Sequence, residues 1–586
     1  MSEDIRCFRV TKSTNTHADV LIAVGLAGLL QDLFDEPILV EDEGASFRVT
    51  LPEALPSTLN RLPHSPRYPW ILGRSGAEVP HGLQAINMSS EFERVKRWSE
   101  NRRKLRGQRQ VDSALMQAVQ EDAPLPRWWL LPPMAPTKLK SGQTWNRVAA
   151  SIAAASADAF RADVLKSLQG MVSGSRSKVK WQASSNGLFC PAQIKGFNEL
   201  KPQGTSRGSM PVDAFEEWLR YHGYWSCAGV TSDSDNIRVY VPIPMRLTPR
   251  ALDRLALELE KQPLPGCGPK SDALAVIALA RLLIERSEGY HAPDIEPFPG
   301  LDLRSGESPA NLVSGLYVTH YAKTSRQAYG VRSMTVLAVP GWFLISGKED
   351  ASIWLDVLHE HQRVVMALQQ DRSDEIGLVL TYRRFLERRG STATWALIEF
   401  MEHYGPFVMR ANGSKVSGRL RWMPRFTDEY LRRILMGADS HLLEIMNDPG
   451  FEAVARAVRQ ATVSAQNKRA RYKAKQGKED TWREIRYELL HDLHRTRKVP
   501  GTAFVECVTE FISRYNYENA RRRETEKNPK AAPANVSDDE LKSFVALISR
   551  HGAAVVGALL AAYGTCKEKW EPEEDGSATS PVASAT

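Results

Sequence analysis

The chain has 586 residues and carries 77 Lys and Arg against 69 Asp and Glu, a formal net charge of +8. With 42% hydrophobic and 25% charged residues it has a globular composition, but it is too long for one hydrophobic core, so we expect several domains. Its six cysteines include no CxxC pair, which excludes a disulfide framework and a zinc finger of the usual spacing.

The first fifty residues predict a buried helix followed by a hairpin. Ala18–Phe34 is apolar on nearly every face, and Thr16 with Asp19 forms a capping pair at its start. Alternating strands then flank the turn Glu43–Ala45. No apolar run reaches the roughly 20 residues of a membrane-spanning helix, and the N-terminus lacks the layout of a signal peptide. We therefore expect a cytoplasmic protein without a membrane partner.

A helix over Glu91–Gln120 is predicted next, and it is strongly basic. Between Arg94 and Arg109 there are eight Lys and Arg and one acid, a local excess of +7. An alanine-rich helix is then predicted over Ala149–Leu168.

The segment Ser175–Gly208 has little regular pattern and combines cations with Gly, Asn and Gln. Such side chains suit shallow reading of a DNA groove, where amides reach base edges. Trp181 and Phe197 are candidate wedges or stacking platforms. A flexible surface loop explains this segment nearly as well.

From residue 236 onward strands and helices alternate, and after about Ala351 the strand pattern ends. Two later segments, Trp482–Arg495 and Phe504–Arg523, each carry one apolar stripe, and the helix stop Pro500-Gly501 between them predicts an antiparallel pair. A capping box at Ser537 opens a last apolar helix. Other predicted elements are strands over Asn236–Met245, Tyr317–Tyr321 and Thr335–Ser346 and helices over Thr248–Lys261 and Asp272–Glu285.

Together these patterns predict an α+β protein: a mixed α/β N-terminal region over 1–350, followed by an all-α helical-bundle domain over 351–570. A division of the first region into two subdomains, with a break near 210–235, is an alternative. The acidic tail, 571–586, is predicted to be disordered.

Two further basic segments join those already named. Gln466–Lys498 holds eleven Lys and Arg against five acids, an excess of +6, and Met409–Arg425 carries five cations. Clustered cations favour a polyanionic partner, because neutralising phosphates releases counterions. For any single run a solvated helix face is the alternative, but four runs in a moderately basic chain favour a phosphate-binding surface.

The motifs of known enzymes are weak in this sequence. His491-Asp492 is the dipeptide of metal-dependent phosphohydrolases, but a helical wheel places it on a polar face opposite the apolar stripe. Neither His359–His361 nor Gly341–Lys348 has the spacing of a zinc helix or a phosphate loop. We therefore expect no enzymatic activity, no catalytic residue, no metal ligands and no cofactor.

Three segments resemble one known family. FISRYNYENARRR, preceded by IRYELLHDLHR, is similar to the C-terminal helical region of large subunits of type I CRISPR effector complexes (Cascade). LFCPAQIKGFNELKPQ followed by FEEWLRYHGYW (Phe215–Trp225) resembles their central part, and HADVLIAVGLAGLLQDLF resembles their start.

The resemblance implies a non-catalytic subunit of an RNA-guided antiviral complex. It would read the protospacer-adjacent motif in double-stranded DNA, hold the displaced strand and recruit a helicase-nuclease, while the guide RNA pairs with the target. Its partners would be guide RNA, target DNA and the CRISPR backbone subunits, and its helical C-terminal region would resemble a fused small subunit.

Basic and amide residues would then carry the contacts with nucleic acid. For motif reading we predict Lys178, Lys180, Gln193, Lys195, Asn198, Lys201 and Arg207. For backbone contacts we predict Arg102, Arg103, Lys104, Arg106, Arg419, Arg421, Arg469, Arg471, Lys473 and Lys475. Two alternatives stay open: a metal-dependent phosphohydrolase or nuclease centred on His491-Asp492, and an interaction scaffold that does not bind nucleic acid.

Overall fold

The computed structural model describes residues 5–62, 70–72, 79, 85–107, 112–123, 144–174, 179, 181, 213–233, 236–325, 328–370, 372–412, 414–416, 419–436, 440–476, 485–499, 501–525 and 533–568. The chain divides into two compact units. Unit 1 comprises Met1–Val339 and Ile345–Ala351, and unit 2 comprises Pro340–Leu344 and Ser352–Thr586. The fold is α+β, as predicted, with the larger sheets in unit 1 and helices throughout unit 2.

Two four-stranded antiparallel sheets organise unit 1. Their orders are β1-β3-β2-β8 and β10-β9-β7-β6, and β4 pairs with β5 in parallel. The strands are β1 Cys7–Thr11, β2 Val40–Asp42, β3 Ser46–Thr50, β4 Trp70–Leu72, β5 Ala85–Asn87, β6 Gly229–Asp233, β7 Asn236–Pro244, β8 Arg246–Leu247, β9 Val313–Ser325 and β10 Ala328–Ala338. Alternation decides which face is buried: Phe8 and Val10 pair with Val49 and Phe47, and all four side chains are buried.

The described helices of unit 1 pack on these sheets and on one another. They are α1 His17–Phe34, α2 Met88–Gly107, α3 Ser113–Glu121, α4 Thr144–Ala153, α5 Ala157–Ser173, α6 Ala214–Cys227, α7 Pro249–Glu260 and α8 Pro269–Glu285, with a short 3-10 turn at Pro309–Asn311. Thr248 caps α7 through its side chain, as predicted.

Helix α1 is the central element of unit 1. Thr16 caps it by accepting from the N–H of Ala18, and Asp19 accepts from the N–H of Thr14. By length and composition alone, α1 could cross a membrane, whereas the sequence analysis predicted no membrane-spanning helix. In the structure, 89% of its 18 residues are buried. In this fold α1 therefore packs as a core helix.

From residue 348 onward, the regular structure of the described residues is helical apart from one short hairpin. The helices are α9 Lys348–Ala367, α10 Ser373–Glu387, α11 Ser391–Ala411, α12 Asp428–Met436, α13 Ser440–Met446, α14 Pro449–Ala461, α15 Val463–Gln476, α16 Leu489–Thr496, α17 Ala503–Thr525, α18 Asp538–His551 and α19 Ala553–Tyr563. The hairpin pairs β11 Lys415–Val416 with β12 Arg419–Leu420, a departure from the expected absence of strands.

Aromatic side chains form a core within unit 2. The His361 ring is buried, with ring centroids 4.8 Å from Phe426 and 5.5 Å from Phe385, and its Nδ1 lies 2.8 Å from the Tyr382 hydroxyl oxygen. Burial lowers the pKa of His361 to about 3, because the charged imidazolium has lost its hydration.

Several predicted helices are divided or shortened. Ala149–Leu168 is two helices, because Ser156 caps the start of α5. Glu91–Gln120 is also two, and Asp112 caps the second, α3. The last apolar helix is interrupted at Gly552, whose φ of +86° separates α18 from α19.

The predicted helix over Trp482–Arg495 is shorter in the structure, where α16 begins at Leu489. Its described apolar residues, Ile485, Leu489 and Leu493, are nevertheless buried as the stripe predicts. The strand predicted over Thr335–Ser346 ends at Ala338, before the Pro-Gly pair.

Candidate nucleic-acid interface

The segment predicted to read a DNA motif lies almost wholly outside the described residues. This holds for every residue of the predicted set: Lys178, Lys180, Gln193, Lys195, Asn198, Lys201 and Arg207. Trp181 is described, and it is buried at 7% exposure, stacked on Phe160 at 5.7 Å and edge-on to Trp218 at 5.4 Å between ring centroids. Trp181 is therefore a core residue, and the expectation that it stacks on a base is wrong.

The basic helix α2 carries both paired and exposed cations. Arg94 pairs with Glu91 at 2.7 Å, and Arg97 pairs with Asp122 at 2.8 Å, which joins α2 to the end of α3. Among its predicted phosphate contacts, Arg102 packs over the Trp98 ring at 4.9 Å, and Arg103 and Lys104 are exposed. The side chain of Arg106 lies outside the described set.

Arg421 points into unit 2. Its guanidinium donates to both oxygens of Glu375, at 2.8 and 2.6 Å, and to the carbonyl oxygen of Ala367 at 2.9 Å. Its side chain is 9% exposed, and that of Glu375 is 0%. Burial raises the pKa of Glu375, but hydrogen bonds from Arg421 and from the N–H of Gln369 outweigh it and hold the pKa below its usual value.

Arg421 is therefore an internal cation, already engaged by a carboxylate and a carbonyl. A phosphate contact would require it to leave the buried, ionised Glu375 with no cation nearby except the half-exposed Arg372, 3.8 Å away, which is costly. We leave Arg421 out of the proposed interface. Arg419 is placed on β12, and its side chain is not among the described ones.

Helix α15 contains the four cations predicted to contact a strand. Its first turns are anchored: Val463 and Ala465 are buried, and Asn467 accepts a hydrogen bond at 2.5 Å from the side chain of Asn412. Beyond this anchor Lys468 is exposed and Arg469 is half-buried. For Arg471, Lys473 and Lys475 the structure describes the helical backbone alone.

Helical geometry divides the basic positions of α15 between two faces. Residues four apart share a face, whereas residues two apart differ by about 200° around the axis. Positions 469 and 473 therefore lie together, and positions 471 and 475 lie together on the opposite side.

Helix α17 presents an exposed stripe that sequence reasoning did not single out. Arg514, Tyr517 and Arg521 follow one another at i, i+3 and i+7. Tyr517 is 71% exposed, the highest value among the large hydrophobic residues that the structure describes. Arg514 pairs with Glu510 at 2.5 Å, but both side chains are more than 60% exposed, so this pair is weak. The helical spacing was visible in the sequence; the exposure of the stripe was not.

The inner face of α17 explains why this stripe faces outward. Phe504, Val508, Phe511 and Tyr515 are buried, which confirms the predicted apolar stripe. Side chains at i, i+4, i+7 and i+11 occupy one side of a helix, so Tyr517 is left on the other.

Arg486 and Tyr487 contact α14, α15 and α17. The N–H of Arg486 donates to the carbonyl of Ala461, the last residue of α14, at 3.0 Å, and its guanidinium forms an ion pair with Glu518 of α17. The next residue, Tyr487, is 49% exposed and donates its hydroxyl to Gln466 of α15 at 2.8 Å. We call the surface composed of Lys468, Arg469, Tyr487, Arg514, Tyr517 and Arg521 the α15–α17 surface.

Among the described residues, the ligand atoms of His491 and Asp492 do not group with those of His403 or His441. His491 is exposed, and Asp492 accepts from Arg495 at 3.2 Å. The ring of His403 lies against His494, with centroids 5.8 Å apart, and that of His441 lies against His551.

His494 belongs instead to an ion network between α11 and α16, beside a cavity of about 290 Å³. The Lys498 ammonium donates to its Nε2 at 2.8 Å, and its Nδ1 lies 3.6 Å from a Glu402 oxygen that Arg497 also binds at 2.6 Å. Burial, with Lys498 and Arg497 nearby, lowers the pKa of His494 to about 4. The neutral imidazole thus accepts from Lys498, Arg497 pairs with Glu402, and Glu399, which also lines the cavity, pairs with Arg384.

Comparison with known proteins does not identify the chain. No protein-family model matches it, and no curated protein is significantly similar to it.

Proposed function

We propose that this protein is a non-catalytic subunit of an RNA-guided, DNA-targeting antiviral complex, and that its α15–α17 surface holds single-stranded nucleic acid. The observation that carries the proposal is the exposed Arg514–Tyr517–Arg521 stripe, tied to the basic helix α15 by the segment containing Arg486. An exposed aromatic ring with a guanidinium group one helical turn away on either side is a combination that binds single strands without sequence preference.

Each component of the surface would have a distinct role. The Tyr517 ring offers a face on which a base of any identity stacks, which contributes about 1–3 kcal/mol per base in such proteins. Arg514 and Arg521 lie one turn on either side of it and would meet flanking phosphates. Tyr487 offers a second exposed ring, already oriented by its hydrogen bond to Gln466.

The other roles follow from the family resemblance. We propose that the segment from Lys178 to Arg207 reads the protospacer-adjacent motif in duplex DNA, and that Arg102, Arg103 and Lys104 on α2 contact a phosphate backbone. Guide RNA and the CRISPR backbone subunits would be its partners, and a separate helicase-nuclease would cleave the DNA. The self-contained ion network around His494 supports a non-catalytic role for this region over a phosphohydrolase.

Binding of a fluorescent single-stranded oligonucleotide, followed by anisotropy at several salt concentrations, tests the strand-holding surface. Tyr517→Ala should weaken binding about 5- to 150-fold, the equivalent of one stacked base, whereas Tyr517→Phe should stay close to wild type. Arg514→Ala and Arg521→Ala should each reduce the salt slope by about 0.7, the value for one lost phosphate contact on a single strand.

Arg304→Ala is the matched control, because Arg304 is 63% exposed in unit 1 and lies outside every proposed contact. If Arg304→Ala and Arg514→Ala lose equal binding affinity, net charge alone explains the loss, and the assignment of binding to the α15–α17 surface is wrong. If wild type shows no salt-dependent binding, the scaffold alternative holds. Metal-dependent cleavage that His491→Ala abolishes would establish the nuclease alternative.

A further inference from the structure

We propose that His441, Glu444 and His551 form a binding site for a divalent transition-metal ion, with Zn²⁺ the best match. The ligand atoms of these three residues all lie within 4.8 Å of one another. Two imidazoles and one carboxylate are a frequent zinc donor set, and three protein ligands leave one coordination position for water or another ligand. The site lies on α13 and α18 and is independent of the strand-holding function proposed above.

Two helices bring the three ligands together. His441 and Glu444 are three positions apart on α13, so they share a face of that helix. His551 is the last residue of α18, and Gly552, with its φ of +86°, turns the chain into α19 directly after it. The rings of His441 and His551 meet edge to face, with an interplanar angle of 60° and centroids 6.4 Å apart.

The Nε2 atom of His551 is the observation that favours a ligand. The His551 side chain is 11% exposed, and its Nε2 atom is buried without a hydrogen bond. The Glu444 Oε1 atom, 3.6 Å away, lies just beyond hydrogen-bond distance. A buried polar atom without a partner costs free energy. A metal ion between Nε2 and the Glu444 carboxylate would bind both.

The spacing suits such an ion with small side-chain movements. Two ligands about 2.0–2.1 Å from a tetrahedral zinc ion are separated by about 3.4 Å. The 3.6 Å between His551 Nε2 and Glu444 Oε1 is close to that value. The exposed His441 contributes the third ligand atom, and all three ligand atoms lie within 4.8 Å of one another.

Arg550 competes with the metal for Glu444. Its guanidinium donates to Glu444 Oε1 at 2.8 Å, the same oxygen that lies 3.6 Å from His551 Nε2. Arg550 is 60% exposed, so it can move into solvent when a metal binds. Removing Arg550 should therefore strengthen metal binding, whereas removing any of the three ligands should weaken it.

The sequence predicted no metal ligands, since His441 and His551 are distant along the chain. His-x-x-Glu at 441–444 was the only local signal, and it becomes specific once α18 brings a second imidazole to it. A bound ion would join α13 to the corner between α18 and α19 and stabilise the folded state of unit 2, because it binds the folded chain.

Titration of the full-length, tag-free chain with ZnCl₂, followed by calorimetry, tests the site. Wild type should bind one ion that His441→Ala, His551→Ala and Glu444→Gln each weaken at least tenfold, while Arg550→Ala strengthens binding. Added Zn²⁺ should raise the unfolding temperature of wild type but not of the ligand variants. Replacing Zn²⁺ by Co²⁺ should give visible absorption bands that the same variants lose.

His491→Ala is the matched control, because it removes an exposed imidazole of unit 2 outside the site. Circular dichroism of each metal-free variant separates lost binding from lost folding. Since His441 and Glu444 are exposed, their variants report on the site even if His551→Ala fails to fold. Wild type that binds no Zn²⁺, or ligand variants that bind as wild type does, would overturn the proposal.

Discussion

Gly25 and Gly223 allow two buried helices of unit 1 to touch backbone to backbone. A β-carbon added at Gly25 of α1 would lie 2.0 Å from the carbonyl oxygen of Leu219, and one added at Gly223 of α6 would lie 2.0 Å from that of Leu21. The contact is reciprocal, and at both positions the obstacle is main chain rather than a side chain that could rotate away. Helices α1 and α6 therefore cannot keep this spacing if either glycine is replaced.

Gly25→Ala is expected to destabilise unit 1 by about 3 kcal/mol or more, since the overlap can be relieved only by separating the helices. Urea unfolding of the full chain, followed by tryptophan fluorescence and circular dichroism, measures the change. Gly347→Ala is the control within unit 1, because an added β-carbon there meets nothing within 4 Å. Equal stability of the two variants would show that α1 and α6 can separate at little cost.

Arg421→Ala is expected to cost about 3–5 kcal/mol, because it leaves the Glu375 carboxylate buried without its partner. Arg372→Ala removes a cation 3.8 Å from the same carboxylate, but Arg372 is 49% exposed, so its loss should cost less than about 1 kcal/mol. Chemical denaturation of both variants gives the comparison. Similar costs for the two would mean that burial does not distinguish these ion pairs.

Acid should weaken the Arg421–Glu375 pair in a defined direction. The folded pKa of Glu375 is below its unfolded value. The pair therefore contributes its full stabilisation above the unfolded pKa, and this stabilisation is lost as the pH falls through the folded pKa. Arg421→Ala should therefore differ from wild type more at neutral than at acidic pH.

His361 is expected to make unit 2 sensitive to acid. Its folded pKa of about 3 lies below the ordinary value of 6.5, so the unfolded chain binds a proton that the folded chain excludes. Stability is unaffected above pH 6.5 and falls as the pH drops from 6.5 towards 3, with a slope approaching about 1.4 kcal/mol per pH unit. The unfolding free energy of His361→Asn should show a shallower slope in that window.

His494 adds to this slope in the same direction, but only down to its own folded pKa of about 4. The control for His361→Asn is therefore His494→Asn. Its effect on the slope of unfolding free energy against pH should vanish below about pH 4, while the effect of His361→Asn on that slope continues towards pH 3. Parallel pH profiles for wild type and His361→Asn would contradict the expectation.

Ser537→Ala should cost about 1 kcal/mol, because the Ser537 hydroxyl accepts from the N–H of Glu540 and the Glu540 carboxylate accepts from the N–H of Ser537. Ser549→Ala lies inside the same helix, exposed, and should be neutral or slightly stabilising since alanine is the better helix former. Thermal unfolding of the two variants shows whether stability depends on the capping hydrogen bonds of Ser537 or falls with the loss of any serine in this helix.

Features fixed by neighbouring residues were predictable from the sequence. The cap at Thr16, the capping box at Ser537 and the buried face of α17 follow from short-range hydrogen bonds and from a helical period. The break between α4 and α5 was not predicted, because Ala149–Leu168 is alanine-rich on both sides of Ser156. Helix propensity alone therefore favours one continuous helix.

The direction of the charged and aromatic side chains was not predictable. Arg421 points inward because Glu375, 46 positions earlier, is buried next to it, and Trp181 is in the core because Phe160 and Trp218 enclose it. Tyr517 is exposed because Tyr515, two positions earlier, is directed into the bundle. Each outcome depends on tertiary packing, which a single charge run or aromatic residue does not encode.

The two opposed faces of α15 limit how many phosphates one strand can reach. If α15 binds nucleic acid as proposed, a strand lying along it would meet either positions 469 and 473 or positions 471 and 475, since the pairs differ by about 200° around the axis. Neutralising all four positions would then take two strands, one on each side of the helix. Under the proposed function, α15 would therefore keep the two strands of an opened duplex apart.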